Sequence, residues 1–121
     1  GPSMSTLNVS NITDGTTTVG TSYVVNGSAK AWGFFNGTGT IVLFGSGFNT
    51  SSLTDVGTGI YQLHFTNNMA DANYTSSLVG NTFHTADEGH NTAYAGVSTY
   101  SVTHGSADTN RVNVAVHGDL A

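Results

Sequence analysis

A chain of 121 residues has room for one domain with a modest core and too little for two. Two basic against seven acidic side chains give a formal net charge of -5, which cannot neutralise phosphates, so nucleic acid and anionic membrane surfaces are poor candidates as partners. Charged residues are only 7% of the chain, against about 25% in an ordinary globular protein, and with no cysteine there is no disulfide, no thiolate metal site and no cysteine nucleophile.

Gly, Ser, Thr and Asn fill about half of all positions, so solubility rests on uncharged hydrogen-bonding side chains. Thr, Val, Tyr and Phe are plentiful, while the strong helix formers Glu, Gln, Lys and Arg occur once each, a bias toward strands. No segment approaches the roughly 18 consecutive apolar residues of a membrane span, so no membrane insertion is expected, and any export signal is expected to lie outside this sequence. Six N-x-[ST] sequons, at Asn8, Asn11, Asn26, Asn36, Asn49 and Asn73, are explained by the Ser and Thr content rather than by glycosylation.

In chain order, Gly1-Pro2-Ser3-Met4 reads as the remnant of a cleaved expression tag (residues 1–4). Residues 5–21 scatter Leu7, Val9, Ile12 and Val19 among polar positions. Such a segment cannot offset ordering costs of about 1–2 kcal/mol per residue by itself, so it is a lead-in or shaft-like segment that needs other chains or stays flexible. The main domain is expected over residues 22–121.

Tyr23-Val24-Val25 followed by Asn26-Gly27 predicts a strand and a turn. Ala29 to Phe35 and Thr40 to Phe44 predict an antiparallel hairpin around Asn36-Gly37-Thr38-Gly39. Gly45-Ser46-Gly47 reads as a turn or bulge. Phe48 to Thr54 and Ile60 to Thr66 predict a second pair, with Tyr61, Leu63 and Phe65 buried against a wet face of Gln62 and His64. Tyr74 to Phe83 predicts a strand and His84 to Thr92 the most polar connection. Ala93 to Thr103 and Arg111 to His117 predict a final pair, with Val112, Val114 and Val116 on one face. The fold class is therefore all-β: an antiparallel β-sandwich or open barrel of six to seven short strands, with no helix.

Few residues could carry chemistry. The single adjacent carboxylate pair, Asp87-Glu88, would point to opposite faces of a strand, and Gly45-Ser46-Gly47 lacks the strand-to-helix turn of a serine nucleophile, so no catalytic residue is assigned. His64, His84, His90, His104 and His117 include no H-E-x-x-H or H-x-H pattern, so no metal or other cofactor is expected, a metal on a symmetry axis being the competing reading. Aromatic rings can stack on sugars, but alternating strand aromatics more often build a core. Trp32 and Tyr61 are read that way, while Tyr94 and Tyr100 beside the polar connection could serve either purpose. Asp87, Glu88, His90, Asn91 and Tyr94 form the candidate binding loop, set against a merely solvated one, because binding groups concentrate on loops.

The blocks N-I-T-D-G-T (11–16), N-G-S-A-K-A-W (26–32), F-N-G-T-G-T-I (35–41), F-N-T-S-S-L-T-D-V-G-T-G-I-Y (48–61) and M-A-D-A-N-Y (69–74) resemble bacteriophage tail-fibre and virion fibre-tip domains. The resemblance spans roughly residues 10–80 and is looser beyond. Gly33 after K-A-W, Leu43-Phe44-Gly45 after the hairpin and Ala70 in the last block depart from the pattern. It implies a homotrimeric receptor-binding tip without catalysis, contacting a bacterial surface glycan or outer-membrane protein and assembling with other virion proteins. Such a module faces outward on the particle and is made in the host cytoplasm. A purely structural or capsid-decorating knob and a polysaccharide depolymerase or esterase are the alternatives.

The only lysine and the only tryptophan, Lys30 and Trp32, share a strand face opposite Ala31 and Gly33. The lysine stem lying along the indole would make an apolar anchor with a charge at its edge. With small Ala31 and Gly33 permitting close approach, the four residues are read as a structural device near a subunit boundary.

Overall fold

A computed structural model describes residues 4–121 of the chain; the tag reading falls mainly on residues 1–3, outside the described ones. The described residues form ten strands and one short helix, with β1 (Asn11–Thr13), β2 (Thr18–Gly20) and α1 (Thr21–Gly27) first. There follow β3 (Ala31–Asn36), β4 (Val42–Leu43), β5 (Thr50–Gly57), β6 (Ile60–Phe65), β7 (Thr75–Gly80), β8 (His84–His90), β9 (Tyr94–Tyr100) and β10 (Val112–His117). Two four-stranded antiparallel sheets, β4-β3-β10-β7 and β5-β6-β9-β8, make an all-β sandwich, and β1-β2 is a separate hairpin. The sandwich thus has eight strands rather than the six to seven expected, because β8 lies in the supposed connection.

The alternation of period 2 sets the core. In β6, Tyr61, Leu63 and Phe65 are buried while Ile60, Gln62 and His64 are half-exposed. In β10, Val112, Val114 and Val116 face the same interior. From β3 the interior receives Ala31, Gly33 and Phe35. Gly33 is required there by packing: a Cβ would stand 2.5 Å from Leu63 Cδ1 of the opposite sheet. The hairpin through Asn36-Gly37-Thr38-Gly39 forms as read, pairing Phe35 with Leu43 and Asn36 with Val42.

The loop after β9 closes one end. Asp108 Oδ1 accepts Gly59 N–H (2.7 Å) and the Tyr61 hydroxyl (3.1 Å), and that hydroxyl also donates to Gly37 O (2.9 Å). Gly59 has φ +66°, and a Cβ would stand 2.6 Å from Thr99 O, so the tight β5-β6 turn depends on glycine. Burial, opposed by hydrogen bonds and supplemented by Asp108, raises the Tyr61 phenol above its ordinary 10.0.

Three local expectations are corrected. Residues 84–90 are not a loop but the edge strand β8, where backbone pairing with β9 suffices and Asp87 and Glu88 discourage further strand addition. The segments read as a final pair lie in different sheets, β9 between β6 and β8 and β10 between β3 and β7. Tyr23-Val24-Val25 is helical rather than extended, and Asn26-Gly27 ends the helix instead of turning a hairpin.

The helix is held from outside its own sequence. Thr21 Oγ1 donates to Val9 O (2.8 Å), and the Lys30 ammonium reaches Val25 O and Ser28 O (2.8 Å to the latter), occupying carbonyls the helix end leaves free. In the hairpin before it, the N–H groups of Thr17 and Thr16 on Asp14 Oδ1 hold that carboxyl below its ordinary 3.8. None of residues 4–30 is buried. Leu7, Val9, Ile12, Val24 and Val25 instead line a shallow depression of about 380 Å3.

Candidate functional site

The candidate residues lie around the turn from β8 to β9, and the structure sorts them into two groups. Strand alternation sends Asp87 and Glu88 to opposite sides, and a bulge follows between Asp87 and His90, with Gly89 at φ 109°. Asp87 pairs in register with the buried Val97 and turns toward the seam between the sheets. Its Oδ1 accepts Gly89 N–H (2.7 Å) and its Oδ2 meets His90 Nε2 (3.1 Å). The His90 ring stacks on Tyr74 at 4.2 Å, and its Nε2 also meets Ser76 Oγ (3.3 Å). The Tyr74 hydroxyl donates to Tyr94 O (2.7 Å) and Asn91 O (3.0 Å), while Asn91 Oδ1 accepts Ala93 N–H (2.9 Å). Burial raises the Tyr74 phenol above 10.0, with the Asn91 hydrogen bond opposing and the Asp87 charge adding. Asp87, His90 and Asn91 therefore build the turn.

Glu88 and Tyr94 point the other way. With Gln62, Gly96, Ile60 and Val56 they line a depression of about 310 Å3 on the outer face of the β5-β6-β9-β8 sheet, and Gly89 and His90 touch its rim. Glu88 accepts a hydrogen bond from Ser98 Oγ, covering the middle of β9. Gly96 is where the bulge closes on β9: a Cβ there would stand 3.0 Å from Glu88 O. Tyr94 leans on His64 at 5.1 Å, and His64 Nε2 is bonded to Thr54 Oγ1 (2.9 Å) and Gln62 Oε1 (3.2 Å). Gln62, His64 and Thr54 were absent from the candidate loop because they come from β5 and β6. The wet face alternating with Tyr61, Leu63 and Phe65 was their sequence signal.

The geometry bears on catalysis. Ser76, His90 and Asp87 meet as a serine triad might, but hydroxyl and carboxylate both contact Nε2, whereas a relay needs them on opposite ring nitrogens. Among the described residues no three of His, Asp or Glu converge on a possible metal position. His84 stacks on Tyr100 at 4.5 Å beside Phe83 and His104 instead.

The K-A-W reading is corrected in detail. Ala31 and Gly33 face the interior of the sandwich, and the small size of Gly33 answers Leu63 of the opposite sheet. Lys30 caps α1 and makes its polar contacts with carbonyls, and the ring that carries a cation is Phe34, 4.8 Å below the Arg111 guanidinium. Trp32 is no core residue. It is 48% exposed on the outer face of the β4-β3-β10-β7 sheet, because burying Ala31, Gly33 and Phe35 turns the opposite side of β3 outward. Around it Phe34, Val79, Asn113 and Ala115 line a largely apolar depression of about 460 Å3, with exposed Phe44 against Phe34.

Replacing Lys30 by methionine keeps the stem and removes the ammonium. Its charge-assisted bonds to helix-end carbonyls, discounted for solvent screening, are worth about 1 kcal/mol. Chymotrypsin cleavage at exposed Tyr23 should then rise about fivefold, with the melting temperature of the sandwich nearly unchanged. Unchanged cleavage would show that the ammonium does not hold the helix.

No helix among the described residues is long and apolar enough to cross a membrane. A scan against protein-family models finds no match to the chain, and neither the curated proteins nor the solved structures yield one.

Proposed function

We propose that this chain is a non-catalytic adhesion module, the tip of a virion fibre facing outward, that binds a glycan or outer-membrane protein on a bacterial surface. The observation that carries the reading is the outer face of the β5-β6-β9-β8 sheet. There an aromatic ring, an amide and a carboxylate border one depression on a rigid scaffold, while the groups nearest to a catalytic set are engaged in holding a turn. The resemblance of the K-A-W and F-N-G-T-G blocks to fibre-tip domains supplies the biological setting.

The module acts as a homotrimer. Two features support this: residues 4–30 contain no buried side chain, and the Trp32 face is apolar and open. A hairpin of two three-residue strands and a seven-residue helix are too short to be stable alone, so contact with other copies would supply the missing apolar burial. Three weak sites on one particle also gain avidity without a new contact.

Fluorescently labelled protein is expected to bind susceptible bacteria and not resistant strains. Tyr94→Ala should lower binding at least tenfold, without release of reducing sugar or acetate from the surface polysaccharide. Steady release of either product would favour a depolymerase or esterase. The exposed Trp32 face favours a second reading, a structural knob docked on other virion proteins, and that reading predicts no cell binding at all.

A further inference from the structure

Adhesion leaves the ligand's chemistry open, and the depression beside Tyr94 narrows it, in an inference that rests on the adhesion reading. We infer that this site takes one uncharged pyranose unit of a polysaccharide and rejects sugars bearing carboxylate, phosphate or sulfate.

The size is the first constraint. About 310 Å3 lies at the lower end of the range for small-molecule sites, about 300–1,000 Å3, which suits a single ring lying across the sheet. Gly96 lets the β8 bulge pack down on β9, and that carries Glu88 over one side of the depression. The half-exposed Tyr94 ring gives the apolar face of a pyranose a surface to pack on, with His64 supporting the ring from the side.

The polar groups left free are complementary to hydroxyls. Gln62 Oε1 is taken by His64 Nε2, so its amide N–H groups remain to donate. One Glu88 oxygen accepts from Ser98 Oγ, and the other remains to accept. Gln62 from β6 and Glu88 from β8 flank Gly96, so a donor and an acceptor stand either side of β9, two residues along from the Tyr94 ring, and fit the alternating hydroxyls of a sugar.

Charge provides the selectivity. Glu88 is the one carboxylate in the lining, and neither cation of the chain is available to offset a second negative group. Lys30 is held by carbonyls at the end of α1, and Arg111 lies over Phe34, a ring on the opposite sheet. An acidic sugar would therefore place its charge beside Glu88 unpaired, a repulsion that specificity can exploit.

Saturation-transfer NMR on the full chain, in slightly alkaline buffer, tests this with chitotetraose and maltotetraose as neutral probes and oligogalacturonate as the anionic one. Saturation should reach ring protons of at least one neutral probe and none of oligogalacturonate. Tyr94→Ala should weaken neutral binding at least tenfold at unchanged melting temperature, Tyr94→Phe should retain it, and Glu88→Gln should admit oligogalacturonate. Equal binding of both probe classes, or a Tyr94→Ala protein that binds normally, overturns the inference. So does silence with both neutral probes if labelled protein still binds bacteria, an outcome that leaves adhesion standing. Neutral sugar binding without binding to any bacterium would instead overturn adhesion and keep the site.

Discussion

Leu63→Ala is expected to lower the unfolding free energy by about 2–5 kcal/mol, read from urea denaturation. Leu63 is fully buried in β6 and packs across the sandwich onto the backbone of β3 at Gly33. Against typical domain stabilities of about 5–15 kcal/mol, the loss removes a large share of the total. The partner substitution makes the prediction specific. Gly33→Ala alone should cost about 1–3 kcal/mol, because its Cβ would stand 2.5 Å from Leu63 Cδ1 and 3.4 Å from Leu43 Cδ2. In the Leu63→Ala background the added methyl enters vacated space and should cost much less. A double-mutant cycle in which the two costs simply add would refute this account of why β3 carries glycine there.

Trp32→Glu should abolish self-association while leaving the sandwich folded. The intact protein is expected to elute with a light-scattering mass of about three times 12.4 kDa, and the variant near one times that value. Trp32 is 48% exposed and points away from the core, so a carboxylate there costs the monomer little, whereas burying it uncompensated at a subunit boundary would cost several kcal/mol. Binding to bacteria should fall by about 100-fold or more as multivalency is lost, with affinity for a single soluble sugar unchanged. An intact protein that runs as a clean monomer at micromolar concentration refutes the trimer. A Trp32→Glu trimer would instead move the contact to the N-terminal hairpin and helix, whose apolar side chains are equally uncovered.

Gly33→Ala and Trp32→Glu lie one position apart in β3, one acting on the core and the other on association, which marks where sequence reading succeeds and stops. Periodicity separates Ala31, Gly33 and Phe35 from Lys30, Trp32 and Phe34 without ambiguity, but it does not say which set faces inward. Counting aromatic bulk favours the tryptophan side. The structure chooses the other, because the facing sheet brings Leu63 into the space that Gly33 leaves and Phe35 against Tyr61 at 5.4 Å. Where bulk and parity agree, as in Ile60–Phe65 and Val112–His117, the buried face is legible from the text alone.

The candidate site shows the same division. Tyr94 and Glu88 could be named from local polarity, but not the bulge that folds Glu88 onto Gly96, nor the pairing that brings Gln62 and His64 beside β9 from a strand some thirty residues earlier. Asp87, His90 and Asn91 looked like binding groups because they are polar and close together. Their partners are Gly89, Tyr74, Ser76 and Ala93, contacts that exist only once the turn is formed.

By itself the sequence determined an all-β antiparallel fold, sandwich or open barrel, since strand propensity and alternation act over a few residues and need no partner. It also determined that charged groups would be few and that the Asn36–Gly39 segment would turn. Tertiary structure alone decided that β9 and β10 join different sheets, that a polar stretch becomes edge strand β8, and that Tyr23-Val24-Val25 is helical. Each of these depends on a bond or contact to residues distant in the chain, or beyond the segment itself, as with Lys30 on the last carbonyls of α1. A backbone group accepts whichever partner the packed fold brings to it, and local propensity carries no record of that choice.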